Sequence, residues 1–308
     1  MSEHTPVLAT IAKAGRLAVA WVTRNLIRFR PYLTAELTAD SIKALSELAI
    51  LYSLLKDVGS DGEDSGIQDT IVSWESFLVE QCNTPKYAQM ARKRPGQAFY
   101  LLMPYLALRR TGYRSPYHER TLDLLRRWRY PEAIEVVPHR LLDRQYFLWK
   151  AGCLDSEPDW IHQYEATSLR YMTHPQYLDD EAAYVFTHTL FYLTDFGRHK
   201  PPLPSVELKH LIQLGEYLVI HNWRHRQWDI LGELLVGLRG LQRQRSRIYV
   251  DAANAFCETQ HEDGSVPPGQ DRKISNSHPS EDSEDLLFRR RYHTTFVMAL
   301  FAFAHLHS

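Results

Sequence analysis

The chain predicts an all-α protein folded as an (α/α)6 barrel, and three observations lead there. Strand signals are almost absent, whereas apolar residues recur at i, i+3, i+4 and i+7 from end to end, the spacing of one helix face. The helical segments differ in kind, some carrying charge along one side and others nearly free of Lys and Arg. A helix buried on every face has no solvated side to decorate, so the two kinds read as inner and outer helices. Pairs of the two kinds then recur at roughly 40 to 50 residues without strict sequence repetition. Six inner helices ringing a cavity, with six outer helices around them, account for this alternation. A two-layer solenoid or an irregular bundle would share the period.

In chain order, helices are expected over 8–28, 41–56, 66–82, 97–110, 117–129, 138–151, 157–171, 180–196, 205–221, 226–239, 245–261 and 291–306. Breakers separate them at Asp61-Gly62, Pro95-Gly96, Ser115-Pro116, Pro131, Pro175, Pro201-Pro202 and Pro267-Pro268-Gly269. Segments 205–221 and 245–261 are charged along one side and read as outer helices. Segments 180–196, 226–239 and 291–306, and the stretch GQAFYLLMPYLA over 97–108, read as inner ones. The stretch 262–290 is polar and rich in Gly, Pro and Ser, and its length suits a lid or a disordered loop. Residues 1–308 are taken as a single domain around one core.

Composition narrows the function classes. Lys and Arg total 36 against 37 Asp and Glu, so no excess of positive charge favours nucleic acid or an anionic membrane. Arg126-Arg127-Trp128-Arg129 and Arg289-Arg290-Arg291 have acidic neighbours and read as solvated faces. Cys82, Cys153 and Cys257 are widely spaced, which fits a reducing compartment and no disulfide framework or thiolate zinc cluster. With no signal-peptide pattern and no long apolar run, a cytoplasmic protein without a membrane span is expected. No GxGxxG, P-loop, GxSxG, HExxH or EF-hand pattern occurs, so nucleotide-dependent, serine-hydrolase and zinc-protease chemistry lose support.

The segment Tyr184 to Gly197, YVFTHTLFYLTDFG, carries the sharpest functional signal. At about 100° per residue, Glu181, Tyr184, His188, Tyr192 and Asp195 share an arc of roughly 80°. A face written with Tyr, His and Asp in place of Lys, Glu and Gln points to a cavity. His188 is a candidate general acid or base, with Asp195 or a tyrosine tuning it. The pair would stand about two turns apart, roughly 10 Å, and flank a ligand. The alternative is a buried His satisfied by Thr187, a tyrosine or a backbone carbonyl, with Asp195 serving near the helix end.

Further candidates follow. In HNWRHRQWDILGELL, His221, His225, Asp229 and Glu233 recur at i+4, a spacing that resembles a metal-ligand ladder. A helix break expected near Asn222-Trp223 would leave Trp228, Asp229 and in part Glu233 facing the cavity. PHRLLDRQYFLW offers Arg140 and Arg144 as clamps for a carboxylate or phosphate, or as partners of Asp143. Near the C-terminus, ETQHEDGSVPP is followed by RRRYHTTFVMALFAFAHLH, so Tyr292 and His293 are expected to open an inner helix.

A QxxDGS segment followed by YHTT at the head of an apolar helix resembles the last repeat of the α/α-toroid proteins, terpenoid cyclases and protein prenyltransferase β subunits. In the prenyltransferases a His in a YHT-type helix start helps hold zinc, and the resemblance carries this role onto His293 and, less directly, Asp263. The Asp-x-Cys zinc pair of those enzymes and the DxDD motif of the cyclases are missing here, and Asp179-Asp180-Glu181 reads as an acidic helix cap. Neither a metal nor another cofactor is therefore assigned. THTLFYLTDFG together with YHTT also resembles a largely uncharacterised bacterial family met near natural-product biosynthesis genes. That resemblance implies the fold and no particular activity.

Three functions remain open. The first is an enzyme using His188, Asp195, His293 and Asp229 for acid/base chemistry, with Tyr184, Tyr192, Trp228, Tyr292, Arg140 and Arg144 contacting a small-molecule or peptide substrate. Cyclase, isomerase, epimerase or lyase chemistry suits an aromatic cavity. A glycan-processing enzyme would need two carboxylates across a subsite, for which Asp195 and Asp229 are the nominees. A non-catalytic protein holding an apolar ligand or precursor peptide would need no converging His and Asp.

Overall fold

A computed structural model describes residues 4–31, 39–59, 65–171, 179–269 and 283–305. Every regular element among these residues is helical. In chain order the α-helices are α1 (His4–Arg24), α2 (Ala39–Gly59), α3 (Ser65–Cys82), α4 (Pro85–Lys93), α5 (Ala98–Arg110), α6 (Pro116–Arg127), α7 (Tyr130–Ala133), α8 (Pro138–Lys150), α9 (Trp160–Glu165), α10 (Asp180–Leu193), α11 (Ser205–Arg224), α12 (Trp228–Gly240), α13 (Arg247–Glu258) and α14 (Ser283–Phe303). None of the described helices is long and apolar enough to cross a membrane. The chain divides into two compact units, residues 1–24 with 159–308, and residues 25–158.

In the first unit, α10, α12 and α14 pack side by side in one layer, and α11, α13 and α1 form a second layer against them. Burial separates the layers as the charge pattern predicts. From Asp229 to Leu238, α12 is buried at every position, whereas α11 exposes Lys209, Gln213, Tyr217, His221 and Arg224. Close approach between the layers requires small residues. A Cβ on Gly232 of α12 would stand 2.5 Å from Val297 Cγ1 and 2.6 Å from Phe256 Cζ, so α12 sits tightly against both α14 and α13.

The second unit centres on α5, which is buried from Ala98 to Leu108 except at Tyr100. Helices α2, α3, α4 and α8 pack on it, and α6 packs on α4. Several polar groups inside this unit are matched to one another. Glu119 takes Arg109 Nε at 2.8 Å and the Tyr105 hydroxyl, which in turn accepts Ser115 N at 3.1 Å. The fully buried His118 ring stacks on Tyr105 with centroids 4.4 Å apart, and its Nδ1 meets Ser115 Oγ at 3.2 Å.

Most expected helices recur within a few residues, and the differences have local causes. No helix was expected between 66–82 and 97–110, but Pro85 at its first turn starts the short α4 there. α11 runs straight through Asn222-Trp223, where a break was expected, because buried Asn222 satisfies its Nδ2 on Leu218 O at 2.9 Å within the helix. The 157–171 segment is split into α9 and a 3-10 turn over Ser168–Tyr171. α14 starts at Ser283, with Glu284 and Asp285 in its first turn, so residues 283–290 belong to a helix and not to the expected loop. The remainder of that loop at 270–282, and the breakers Asp61-Gly62 and Pro175, lie outside the described residues.

Two stability effects follow from this packing. Gly232→Ala should cost about 1–3 kcal/mol by overpacking, although Ala is the better helix former; urea unfolding measures it. Burial lowers the His118 pKa from 6.5 to about 4. Its neutral form is therefore favoured by folding, so the contribution is complete above pH 6.5 and is lost as pH falls toward 4. His118→Phe should remove that part of the acid sensitivity, seen as a flatter dependence of unfolding free energy on pH across this window.

Candidate functional site

The site is built on α10, α12 and α14 of the first unit. Asp179 Oδ1 accepts Ala182 N at 2.9 Å and Asp180 and Glu181 fill the first turn, so the DDE run caps α10 as its sequence suggests. Two turns on, Thr187 and His188 leave the helix toward neighbours of different character. The Thr187 hydroxyl donates to Glu233 Oε2 at 2.9 Å, and His188 Nδ1 donates to the Tyr184 carbonyl at 3.0 Å. On the other side of α12, Glu233 Oε1 lies 3.6 Å from His293 Nε2 of α14. One carboxylate thus joins three adjacent helices.

Glu233 is only 5% exposed, in a helix whose neighbouring positions are almost all apolar. Burial alone pushes its pKa up. His293, then the charge of His188, then the Thr187 hydroxyl outweigh burial and hold the carboxyl at about 2. The anion is therefore the resident form, with the two imidazoles more accessible than the carboxylate between them. Aromatic rings surround the imidazoles: Tyr184 and Phe191 each lie 5.9 Å from His188, and Phe296 stacks on His293 at 6.4 Å. Such a group can take up and hand on a proton beside apolar surface.

What aims His293 is the DGS turn. Ser265 N and Oγ both donate to Asp263 Oδ1, at 2.9 and 2.7 Å. Arg291 Nη1 donates to Ser265 Oγ at 3.1 Å, and Val266 N donates to Thr295 Oγ1 at 2.9 Å. Arg291 and Thr295 flank His293 at two residues on either side, and so lie on roughly the opposite face of α14. Gln260 Nε2 ties the turn to Ala14 O at 2.9 Å, and Gly264, at φ +87°, lets the turn run against the Leu17 carbonyl of α1. The motif pair QxxDGS and YHTT is thus a lock that sets the register of α14.

The structure corrects several expectations. Asp195 was expected on the His188 face of a continuing helix, but α10 ends at Leu193. Asp195, Phe196 and Gly197 then take φ of 50°, 58° and 82°, and the helical wheel no longer applies. Thr194 fastens this turn by donating to Leu190 O at 2.6 Å and accepting Gly197 N at 2.9 Å. Asp195 pairs with Arg198 and lies 3.7 Å from His199, while Tyr192 sets the edge of its ring on Phe196 at 5.9 Å. Tyr292 and His293 do not open their helix, because α14 begins at Ser283; Tyr292 stacks on Phe288, which stacks on Trp21.

The i+4 ladder is interrupted as well. α11 ends at Arg224 and Arg226 has φ 53°, so exposed His221 and His225 pack ring to ring, 4.3 Å apart, on a different helix from Asp229 and Glu233. Trp228 opens α12, with buried Asp229 one turn before Glu233 on the same face. Asp263 uses its oxygens on Ser265 and on Arg291 at 3.9 Å. No group of three or more His, Cys, Asp or Glu among the described residues is arranged to hold a metal ion. Arg140 and Arg144 belong to the second unit, where Arg140 faces Asp143 at 3.6 Å and Arg144 donates to Ile134 O at 3.0 Å.

Glu233 and Thr187 are the site residues that the sequence placed only at the margin. The available signal was a lone carboxylate in the middle of the otherwise apolar WDILGELLVGLRG. Because the Glu233 pKa is depressed in the fold, its stabilisation is full above about pH 4.5 and is lost as pH falls toward 2. The stability difference between the wild type and Glu233→Gln should therefore shrink by a few kcal/mol on acidification through that window, which urea titrations at stepped pH will read.

A family model described as a domain of unknown function (DUF6895) matches residues 15–303. No curated protein and no solved structure matches the chain. With the match running over nearly all of its length, the chain belongs to the DUF6895 family.

Proposed function

We propose that the protein is a proton-transfer enzyme whose reacting groups are His293 and His188, with Glu233 as their shared positioning residue. The observation that carries this is the buried Glu233 carboxylate held between His293 on one side and Thr187 beside His188 on the other. In this reading one imidazole removes a proton from the substrate and the other returns one at a second position. That is the chemistry of an isomerisation, cyclisation or elimination without a nucleotide. The surrounding rings suit an apolar intermediate of natural-product biosynthesis, either a small molecule or a peptide segment. The (α/α)6 ring expected from the sequence and a cytoplasmic location are kept as parts of the same proposal. The glycan reading loses its nominated pair, since Asp195 is engaged by Arg198.

Comparative metabolomics of a deletion strain, complemented with variants, tests the proposal. His293→Gln and Glu233→Gln should each lower formation of the missing product by about 10²-fold or more, the usual weight of a general acid or base. Asp195→Asn should retain it, provided each variant accumulates as folded protein. Wild-type product levels from both His293→Gln and Glu233→Gln would instead favour a protein that holds its ligand without reacting with it.

A further inference from the structure

Helix α6 of the second unit has two unlike faces. His118, Thr121 and Leu125 are buried, and the helix packs on α4 and α7. On the other side, Tyr117, Arg120, Leu124, Arg127 and Trp128 fall within an arc of about 100°, with Trp128 continuing the helix as its C-cap at φ −80° and ψ 0°. Tyr117 is 39% exposed and Trp128 53%, and Trp128 is the one exposed residue among the seven tryptophans. A large ring left in water forgoes the free energy that burial would supply. Trp, Tyr and Arg are also the residues that dominate the energetics of protein interfaces.

The charges on this face are arginines without carboxylate partners. The acidic neighbour expected for Arg126-Arg127-Trp128-Arg129 serves Arg126, whose Nη2 reaches both oxygens of Asp155 at 3.0 and 3.2 Å from roughly the opposite side of the helix. Arg120, Arg127 and Arg129 are exposed, and among the described residues none of the three makes an ion pair or a side-chain hydrogen bond. Asp123 borders the face about 40° from Arg127, so three arginines outweigh one carboxylate. We propose that this face of α6 docks an acidic amphipathic helix of a partner protein. The partner's apolar residues meet Tyr117, Leu124 and Trp128, and its carboxylates take the guanidinium forks of Arg120 and Arg127. From Tyr117 to Trp128 the face runs ~16 Å, about three helical turns, which suits a weak and transient contact. Nucleic acid or an anionic membrane suits it less, because Asp123 repels a polyanion and the chain's 36 Lys and Arg are balanced by 37 Asp and Glu.

Selection of displayed peptides of about 15 residues on the full chain, with counter-selection on a Trp128→Ala, Arg127→Glu double variant, tests the surface. Peptides retained by the wild type alone are expected to interleave Asp and Glu with apolar residues at helical spacing. In fluorescence anisotropy one such synthetic peptide should bind about fivefold or more weakly to Trp128→Ala and to Arg127→Glu, and its binding should weaken as salt is raised. Arg126→Ala, on the opposite side of α6, should bind it as the wild type does. Both face variants should melt at the wild-type temperature, because they change exposed side chains. The proposal is overturned if no selected peptide requires the face or if the selected peptides are basic or uncharged. It is overturned equally if a single-stranded oligonucleotide, or vesicles of phosphatidylglycerol, bind the wild type more tightly than the peptide and lose that binding in Arg127→Glu. None of these readouts depends on proton transfer at His293.

Discussion

A carboxylate placed inside an apolar helix must be paired with other groups or neutralised, and Glu233 imposes that condition on the first unit. Its charge is kept at the cost of bringing an imidazole from one neighbouring helix and a hydroxyl from the other to within reach. The same requirement fixes which faces of α10 and α14 turn toward α12. Leu, Val and Phe contacts fill the remaining space but would tolerate small rotations. The polar contacts tolerate far less, because hydrogen bonds weaken steeply with distance and angle.

The DGS turn shows how such an arrangement is held from behind. Arg291 and Thr295 are bound on one side of α14 by Ser265 and Val266, and His293 leaves from the other. Gly264 sits against the Leu17 carbonyl, so the turn is also anchored to α1. The DGS turn and the YHTT segment together hold the register of α14. Residue types in a motif therefore state what can be bonded, while the surrounding chain decides what is bonded.

Two buried ions in the chain are treated in contrasting ways. Glu233 is surrounded by partners that favour its charged form, whereas Arg144 has a carbonyl and little else among the described residues. A charge that the chain satisfies by itself stabilises a geometry. One whose hydrogen-bonding capacity is left partly unused costs free energy in the folded state, and this difference separates the two residues chemically.

The helical class and the division into charged and uncharged helices were legible in the sequence, because helix periodicity and exposure are local properties written residue by residue. The grouping of Tyr184 and His188 on one face of α10 was legible too, although both are only half-buried and Glu181 beside them is exposed. Asp195 was not, since three successive left-handed residues end the helix one turn too early for the wheel to hold, and that turn is secured by Thr194. Nor could the sequence choose Glu233 over Asp229 or Asp195 as the shared carboxylate, or show that His293 lies well inside its helix. Those outcomes depend on which faces of α10, α12 and α14 meet, a choice made by packing among residues far apart in the chain. The sequence by itself determined what kinds of surface each helix presents; tertiary structure alone decided which of those surfaces face one another, because side-chain contact between helices is set by distance in space and not by spacing along the chain.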